Sequence, residues 1–387
     1  MNDLTFNQLS TVLNSIVSQA TGRTDLTVTD ESSFVTVAQV GLKTGYDPLL
    51  NSISQVLART IFSIRPYSRK FAGLQMDNQQ FGAITRKLQI SDSAWEDDTR
   101  LPLTDGASVD MFKVAKPNVL QTNFYGQNVY QKHITIFKDQ LDTAFSSSAE
   151  FGRFVSMVMQ NVSDMIEQSH ENLARATLAN YIAGKTLGDA NSVIHLLTEY
   201  NTLSGLTLTA TTVYQPANYK AFIQWAYSRI AALSDRLTER TELYHTNVTD
   251  KVINRHTPYQ KQKIFLFSPE MHAVDSRVLA DAYHDNYLKL AYNESVTFWQ
   301  SIKTPDQIKS TPVYMGADGA LVTGAETTVS NIFGLIIDEE TAGYTVVNQW
   351  SAPTPFNPAG GYSNVFWHYT DRYFNDDTEN GIVLLLD

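Results

Sequence analysis

Apolar residues at Phe6, Leu9, Leu13, Ile16, Val17 and Ala20 keep helical spacing across residues 3–20 and predict a short amphipathic helix. The Thr-, Asp- and Ser-rich stretch Thr21–Ser33 has no such period and reads as an extended arm. Asp47-Pro48 then opens a second helix over Leu49–Thr60, with Leu50, Ile53, Val56 and Leu57 on one face and proline in the first turn. From Ile61 to Tyr130 the pattern turns to strands, predicted at Phe81–Ile90, Ser108–Val114 and Phe124–Phe137. Between the first two lies the polar segment Ser91–Asp105, which holds Trp95-Glu96-Asp97-Asp98-Thr99-Arg100-Leu101-Pro102 and the turn signal Thr104-Asp105-Gly106. The pattern describes a long two-stranded arm with a charged tip.

The strongest period follows. Ser147-Ser148-Ala149-Glu150 has the form of a capping box, and apolar residues recur from Phe151 through Val155, Val158, Val162, Ile166 and Leu173 to Tyr181. Gly184-Lys185 is the expected stop, so the helix covers roughly 36 residues, or ~54 Å at 1.5 Å per residue. A helix of that length serves as a backbone on which other elements hang. Thr186–Ala217 reads as a polar, β-leaning connector, Tyr219–Leu237 as a helix and Lys263–Phe267 as a buried strand. Ser268-Pro269-Glu270 starts a helix through Ala282, and Pro305–Pro312 is a linker. Strands are expected at Asn331–Asp338, Tyr344–Val347, Asn364–Thr370 and Ile382–Leu386, with Asn380-Gly381 as a hairpin-type turn. The fold class is α+β, with helices and strands in irregular alternation and no internal repeat.

Composition narrows the chemistry. The chain has 387 residues, 29 Lys+Arg against 40 Asp+Glu, a formal net charge of −11, and no Cys. A protein that coats nucleic acid needs clustered cations, so the net acidity argues against that class. Without Cys there are no disulfides, thiolate zinc sites, iron–sulfur clusters or Cys nucleophiles. No signal peptide is visible at Met1-Asn2-Asp3-Leu4, and Ile332–Ile337 and Ile382–Leu386, the longest apolar runs, are far short of the roughly 20 residues that span a bilayer. A soluble, non-membrane protein made in the cytoplasm is expected.

Catalytic signatures fail one by one. There is no phosphate loop and no nucleophile elbow, and Gly316-Ala317-Asp318-Gly319 reads as a turn. His170-Glu171 would need a second ligand at position 174, which is Ala174, so His170 reads as a half-exposed histidine on the long helix. His245, His256, His272 and His284 lack metal-ligand spacing. The carboxylate pairs Asp97-Asp98 and Asp376-Asp377 and the run Asp338-Glu339-Glu340 read as exposed turn or tip charge. No catalytic residue, metal site or cofactor is expected.

Two features ask for a partner instead: the β arm, which cannot stabilise itself, and an N-terminal segment with apolar helical faces. The order of elements, together with Gln140-Leu141-Asp142-Thr143-Ala144-Phe145 running into Ser147–Lys185, resembles the major capsid proteins of tailed bacteriophages, the Hong Kong 97-type fold. Ile264-Phe265-Leu266-Phe267-Ser268-Pro269-Glu270 is similar to that family's strand-then-helix unit. Val347–Phe356 and Phe374-Asn375-Asp376-Asp377-Thr378-Glu379-Asn380-Gly381-Ile382-Val383 are similar to the closing strands of one coat subgroup.

The resemblance implies an N-terminal arm (1–70), an extended loop with flanking strands (71–125), a peripheral domain with the spine helix (126–185), and an axial domain with return strands (186–387). It implies a coat protein that self-assembles as hexamers and pentamers into an icosahedral head. That head would enclose double-stranded DNA without sequence-specific binding, and portal, scaffolding or decoration proteins are its possible partners. Assembly would take place in the host cytoplasm and leave the protein in the virion. Asp97, Asp98 and Arg100 would set register against a neighbouring subunit, and Phe6, Leu9, Leu13 and Ile16 would be buried against adjacent subunits. Two other functions fit less well: an encapsulin-type nanocompartment shell and a monomeric hydrolase with a carboxylate pair.

Overall fold

The computed structural model describes residues 6–60, 71–76, 84–92, 104–112, 114, 116–125, 127–249, 251–269 and 293–387. Its helices are α1 (Phe6–Thr21), α2 (Glu31–Lys43), α3 (Tyr46–Thr60), α4 (Lys138–Ala144), α5 (Ser148–Gly188), α6 (Leu196–Ser204) and α7 (Pro216–Thr238). The first seven strands are β1 (Ile84–Ile90), β2 (Val119–Tyr125), β3 (Asn128–Phe137), β4 (Val193–His195), β5 (Gln262–Phe267), β6 (Asn293–Val296) and β7 (Ile308–Ser310). The rest are β8 (Val313–Met315), β9 (Leu321–Thr323), β10 (Thr327–Val329), β11 (Ile332–Asp338), β12 (Ala342–Pro353), β13 (Tyr362–Asn375) and β14 (Gly381–Leu385). The chain divides into two compact units, each with its own apolar core.

The first unit comprises Met1–Gly82, Gly126–Leu173 and Thr345–Arg372. Its three-stranded sheet, in the order β12-β13-β3, pairs β13 antiparallel to β3 from Tyr362↔Phe137 to Asp371↔Asn128. Along β13 the residues Val365, Trp367 and Tyr369 are buried, and they join the apolar face of α5 (Phe151, Phe154, Val155, Val158, Val162) in one cluster. α1 adds Leu9, Leu13, Ile16 and Val17 to that same cluster, α2 adds Phe34 and Val37, and α3 adds Leu49, Leu50 and Ile53. Gly152 permits the close approach of α1, since a Cβ there would stand 3.0 Å from Leu9 Cδ1.

These contacts correct the expectation that Phe6, Leu9, Leu13 and Ile16 are buried against other subunits. Leu13 and Ile16 are fully buried inside their own unit, Leu9 is 5% exposed, and Phe6 packs against the cluster. The apolar stripe of α1 is satisfied at home because α2 and α3 supply its other wall. Of the stretch Thr21–Ser33, residues 22–30 form no helix, as expected, but α2 begins at Glu31 and was not expected. Asp30 caps a helix there, accepting from the Ser33 N–H at 2.8 Å, and Phe34, Val37, Ala38 and Gly41 form its buried face.

The second unit comprises Ala83–Tyr125, Ala174–Tyr344 and Tyr373–Asp387. Its five-stranded sheet runs β4-β14-β11-β5-β6, with β11 antiparallel to both neighbours and the outer pairs parallel. All seven residues of the central strand β11 are buried, as are all five of β14, which matches their continuous apolar sequence. Gly334 is required in β11, because a Cβ would lie 2.8 Å from the Phe265 carbonyl oxygen, which belongs to the ladder and cannot withdraw. α6 and α7 contribute Leu196, Leu197, Phe222, Ile223, Ile230 and Leu233 to the core beside Ile336 and Leu384.

α5 has 41 residues, about 61 Å long at 1.5 Å per residue, and Ser147 Oγ accepts from the Glu150 N–H at 3.3 Å at its start. It continues past Gly184, where the missing side chain makes room for Tyr314 rather than ending the helix. His170 is buried, not half-exposed, and Glu171 is buried as well. Four more expectations change. The connector Thr186–Ala217 contains β4 and α6, and the linker at Pro305–Pro312 contains β7, which pairs with β10. Asn380-Gly381 is no hairpin, because β13 and β14 belong to different sheets. Of Ser108–Val114, the described residues form turn and irregular chain, and the second strand of the arm begins only at Val119. The helix expected through Ala282 lies outside the described residues beyond Ser268 and Pro269, which are helical.

If α1 belongs to the core of its own unit, Leu13→Ala leaves a cavity and should lower the unfolding free energy of the unassembled chain by about 3 kcal/mol. Urea denaturation followed by circular dichroism measures this, and a loss below about 0.5 kcal/mol would place α1 outside the core.

Candidate assembly site

The extended arm is a two-stranded hairpin whose register, Ile84↔Tyr125 to Ile90↔Val119, sets which side chains share a face. Lys87, Gln89, Leu120, Thr122 and Phe124 point inward and are buried or half-buried. Arg86, Leu88, Ile90, Val119, Gln121, Asn123 and Tyr125 point outward and are exposed. Alternation this regular produces two surfaces with different tasks.

The inner face is tied to residues 373–380 of the same unit. Lys87 Nζ lies 2.6 Å from Asp376 Oδ2, contacts Glu379 Oε1 and is 3.8 Å from Glu340 Oε2. Arg255 Nη1 holds Glu379 from another side at 2.8 Å. Gln89 Nε2 donates to Thr378 Oγ1 at 3.5 Å, and the Phe124 ring meets Phe374 at 5.1 Å between centroids. At the far end of β1, Asp92 accepts from the Asn254 backbone N–H at 2.7 Å and side-chain amide at 3.0 Å, and it pairs with Arg240. Lys251 Nζ donates to the Val119 carbonyl at 3.3 Å, so both strands are held.

The residues beneath the hairpin form a buried charge cluster. Asp376, Asp377, Thr378, Glu379 and Asn380 are all buried, which corrects the expectation of an exposed Asp376-Asp377 turn. Asp376 Oδ1 accepts from the Thr378 N–H at 2.9 Å and its hydroxyl at 2.6 Å, while Asp377 Oδ2 accepts from the Met315 N–H at 2.8 Å. Lys185, 1% exposed, donates to Asp189 at 3.1 Å and to the Asp377 carbonyl at 3.2 Å. Burial pushes the Asp377 and Glu379 carboxyls above their ordinary range, an effect that Lys185 and Lys87 respectively oppose. For Lys87, burial pulls the ammonium down, but Asp376 and Glu379 outweigh it, and its pKa is raised. Burial lowers His245, whose Nε2 is 2.7 Å from the Ile253 carbonyl.

Among the described residues, the outer face has no such ion pairs. Leu88 is 63% exposed, Ile90 64% and Tyr125 69%. Val109, Met111, Phe112 and Val114, in the segment between the strands, are exposed as well. Exposed large apolar side chains gathered on one element, here interleaved with Arg86, Gln121 and Asn123, mark an interaction surface. Asp97, Asp98 and Arg100 fall in the part of this segment outside the described residues. The sequence pattern had not singled out Lys87, Arg255, Asp376 or Glu379 as a group; the period-2 alternation at 86–90 was the one signal pointing to Lys87.

A spine helix, a three-stranded sheet, a five-stranded sheet and an extended hairpin define the class of phage coat subunits with the Hong Kong 97-type fold. The capsid structure of Staphylococcus phage Andhra contains a chain that matches with a TM-score of 0.56 at 11% identity, covering 84% of this chain and 86% of that one. A chain in the structure of head fiber and inner core protein gp22 of native bacteriophage P68 matches with a TM-score of 0.56 at 12% identity, covering 83% and 85%. No curated protein sequence matches. The family model of Phi29-like phage major capsid proteins matches residues 13–385, and the chain belongs to that family. It is a major coat protein of a phage head and a component of the virion, in a family of structural proteins rather than enzymes. Among the described residues, no helix is long and apolar enough to cross a membrane.

Lys87→Met removes one cation from between two buried carboxylates. The side chain is 21% exposed, so the expected loss is about 2–3 kcal/mol rather than the full value for a buried pair. Because the folded lysine has a raised pKa, its contribution is complete below the ordinary lysine pKa of 10.5 and is lost as pH rises through the folded value. Limited proteolysis between β1 and β2 should therefore accelerate in the variant at neutral pH, and in the native chain only above about pH 10.5. Equal cleavage rates in the two proteins at pH 7 would rule out this latch.

Proposed function

We propose that the chain assembles as hexamers and pentamers into an icosahedral head around double-stranded DNA. In that head the hairpin β1–β2 lies over a neighbouring subunit. The observation that carries this is the hairpin's pair of faces: the inner one is tied down by ion pairs within its own unit, while Leu88, Ile90, Val119 and Tyr125 face outward and exposed. The unit holding residues 126–173 and 345–372 serves as the peripheral domain, and the unit holding 174–344 and 373–387 as the axial domain.

Asp97, Asp98 and Arg100, in the segment joining the two strands, set the register of this contact by charge complementarity. The net charge of −11 suits a shell that encloses DNA without binding it by sequence, with a separate motor driving packaging. Portal, scaffolding or decoration proteins complete the head, and assembly takes place in the host cytoplasm. The encapsulin-type shell and the carboxylate-pair hydrolase are set aside: the family is a phage one, and the Asp376-Asp377 pair is committed to Lys87, Thr378 and Met315.

Leu88→Asp combined with Ile90→Asp should abolish particles in a sucrose gradient while leaving the circular dichroism spectrum of the subunit unchanged. Normal yields of shells would overturn the hairpin contact. Arg100→Glu should reduce shell yield without unfolding the subunit, and negative-stain images filled with regular heads would exclude Arg100 from the interface.

A further inference from the structure

Asn380-Gly381 is the one asparagine–glycine pair in the chain, and it stands at the entry to β14 rather than in a turn. Asn380 is fully buried. Its side-chain amide donates to Thr257 Oγ1 at 3.1 Å, and its Oδ1 lies 3.0 Å from His245 Nδ1. Its backbone carbonyl accepts from the Asp338 N–H and the Thr341 hydroxyl, each at 3.0 Å. The Gly381 N–H donates to the Tyr244 carbonyl at 2.8 Å, and the Thr246 N–H donates to the Asp377 carbonyl at 2.8 Å. A Cβ at 381 would overlap the hydroxyl of Tyr181, which is itself 1% exposed, so glycine is required after this asparagine.

In an open chain an asparagine followed by glycine is chemically unstable, because no Cβ hinders the approach of the glycine nitrogen to the asparagine Cγ. The new N–Cγ bond closes a succinimide ring as the Cγ–Nδ2 bond breaks, and the proton of the nitrogen leaves with the amide as ammonia. One water then adds to either ring carbonyl and opens the ring to aspartate or isoaspartate. In the folded chain both reacting groups are occupied, the Gly381 nitrogen by Tyr244 and the Asn380 amide by Thr257. The products do not fit the site. A carboxylate at 380 has no proton to give Thr257 and joins Asp376, Asp377 and Glu379, which are already buried. Isoaspartate lengthens the backbone just where Gly381 pairs with Ile337.

We propose that Asn380 is a latent deamidation site, silent while residues 244–257 stay clamped on 376–381 and reactive whenever that clamp opens. Local opening is reversible, but deamidation is not, so a subunit that stays open is converted to a form that cannot reclose. The clamp lies beneath the hairpin: Arg255 of the same loop holds Glu379, and Lys87 reaches Asp376 and Glu379. A chain whose hairpin base has come apart is thereby marked in its covalent structure. The modification needs no contact between subunits and goes beyond the role in the shell.

The test incubates the purified full chain at mildly alkaline pH, in native buffer and in guanidinium chloride, and follows residue 380 by mass spectrometry. Trypsin cuts after Arg372 and releases residues 373–387 as one peptide, in which fragment ions separate Asn380 from Asn375. In denaturant Asn380 should convert to a mixture of aspartate and isoaspartate, and in native buffer the same conversion should be about a hundredfold slower. Asn380→Asp makes one product directly and should speed limited proteolysis between β1 and β2. Three results would each overturn the proposal: no conversion in denaturant, conversion in native buffer within about twofold of the denatured rate, or an Asn380→Asp chain that resists proteolysis as well as the native one.

Discussion

A two-stranded ribbon in water buries too little surface to hold itself together, so the hairpin depends on Lys87. Its ammonium sits between Asp376 and Glu379, 1% and 9% exposed in their side chains, and Arg255 shares the second carboxylate. Taking charges out of water is expensive, and such a pair contributes little unless further hydrogen bonds satisfy the remaining lone pairs. Here they do: Asp376 also accepts from the backbone and hydroxyl of Thr378. The result is a directional attachment, which an apolar patch of equal area would not provide, because apolar contacts tolerate sliding and a one-residue slip would invert both faces.

That attachment departs from the ordinary polarity of an antiparallel sheet. A sheet with one covered face normally turns its apolar side inward and its polar side to water. In β1–β2 the covered face carries Lys87, Gln89 and Thr122 beside Leu120 and Phe124, and the open face carries Leu88, Ile90, Val119 and Tyr125 beside Arg86, Gln121 and Asn123. Held by charge from below, the hairpin keeps its hydrophobic residues available. The N-terminal helices take the opposite course: Leu13, Ile16, Phe34 and Ile53 are all buried in one core. Of the two segments that lacked an obvious partner in the sequence, one finds it within its own unit.

Legibility followed the kind of signal each segment carried. The spine helix, α7, β5, β11 and β14 were readable because periodicity or an unbroken apolar run repeats over many residues, and capping at Ser147 marked the helix start. α2 was hidden because its first residues, Glu31-Ser32-Ser33, continue a polar stretch, and its cap at Asp30 looks like any other aspartate until Phe34 and Val37 are counted. α6 has nine residues, too few for a period to stand out. The charge cluster was unreadable for a different reason. Lys87 and Asp376 are 289 positions apart, and adjacent acids by themselves look like a solvated turn. The glycine at 184 misled in the same way, since a gap made for Tyr314 has the same spelling as a helix stop.

The outer face of the hairpin also explains how such a surface can exist on a subunit before it assembles. Across the ladder Leu88 is opposite Gln121 and Arg86 opposite Asn123, so the two apolar pairs, Ile84 with Tyr125 and Ile90 with Val119, lie at its two ends. Apolar side chains are thereby separated by polar ones, which keeps the patch below the size that drives indiscriminate association and leaves two short strand edges as the remaining hazard. With no cysteine anywhere in the chain, subunits cannot be joined by disulfides, so each non-covalent contact can open and re-form while a misplaced neighbour leaves. A closed shell does not need any one of those contacts to be strong. Every subunit is held at several places at once, and the effective concentration of each contact is set by the others. In the proposed contact, a weak, register-specific hairpin is therefore better suited to error correction than a strongly apolar one, because the polar residues interleaved on its open face penalise a slipped register.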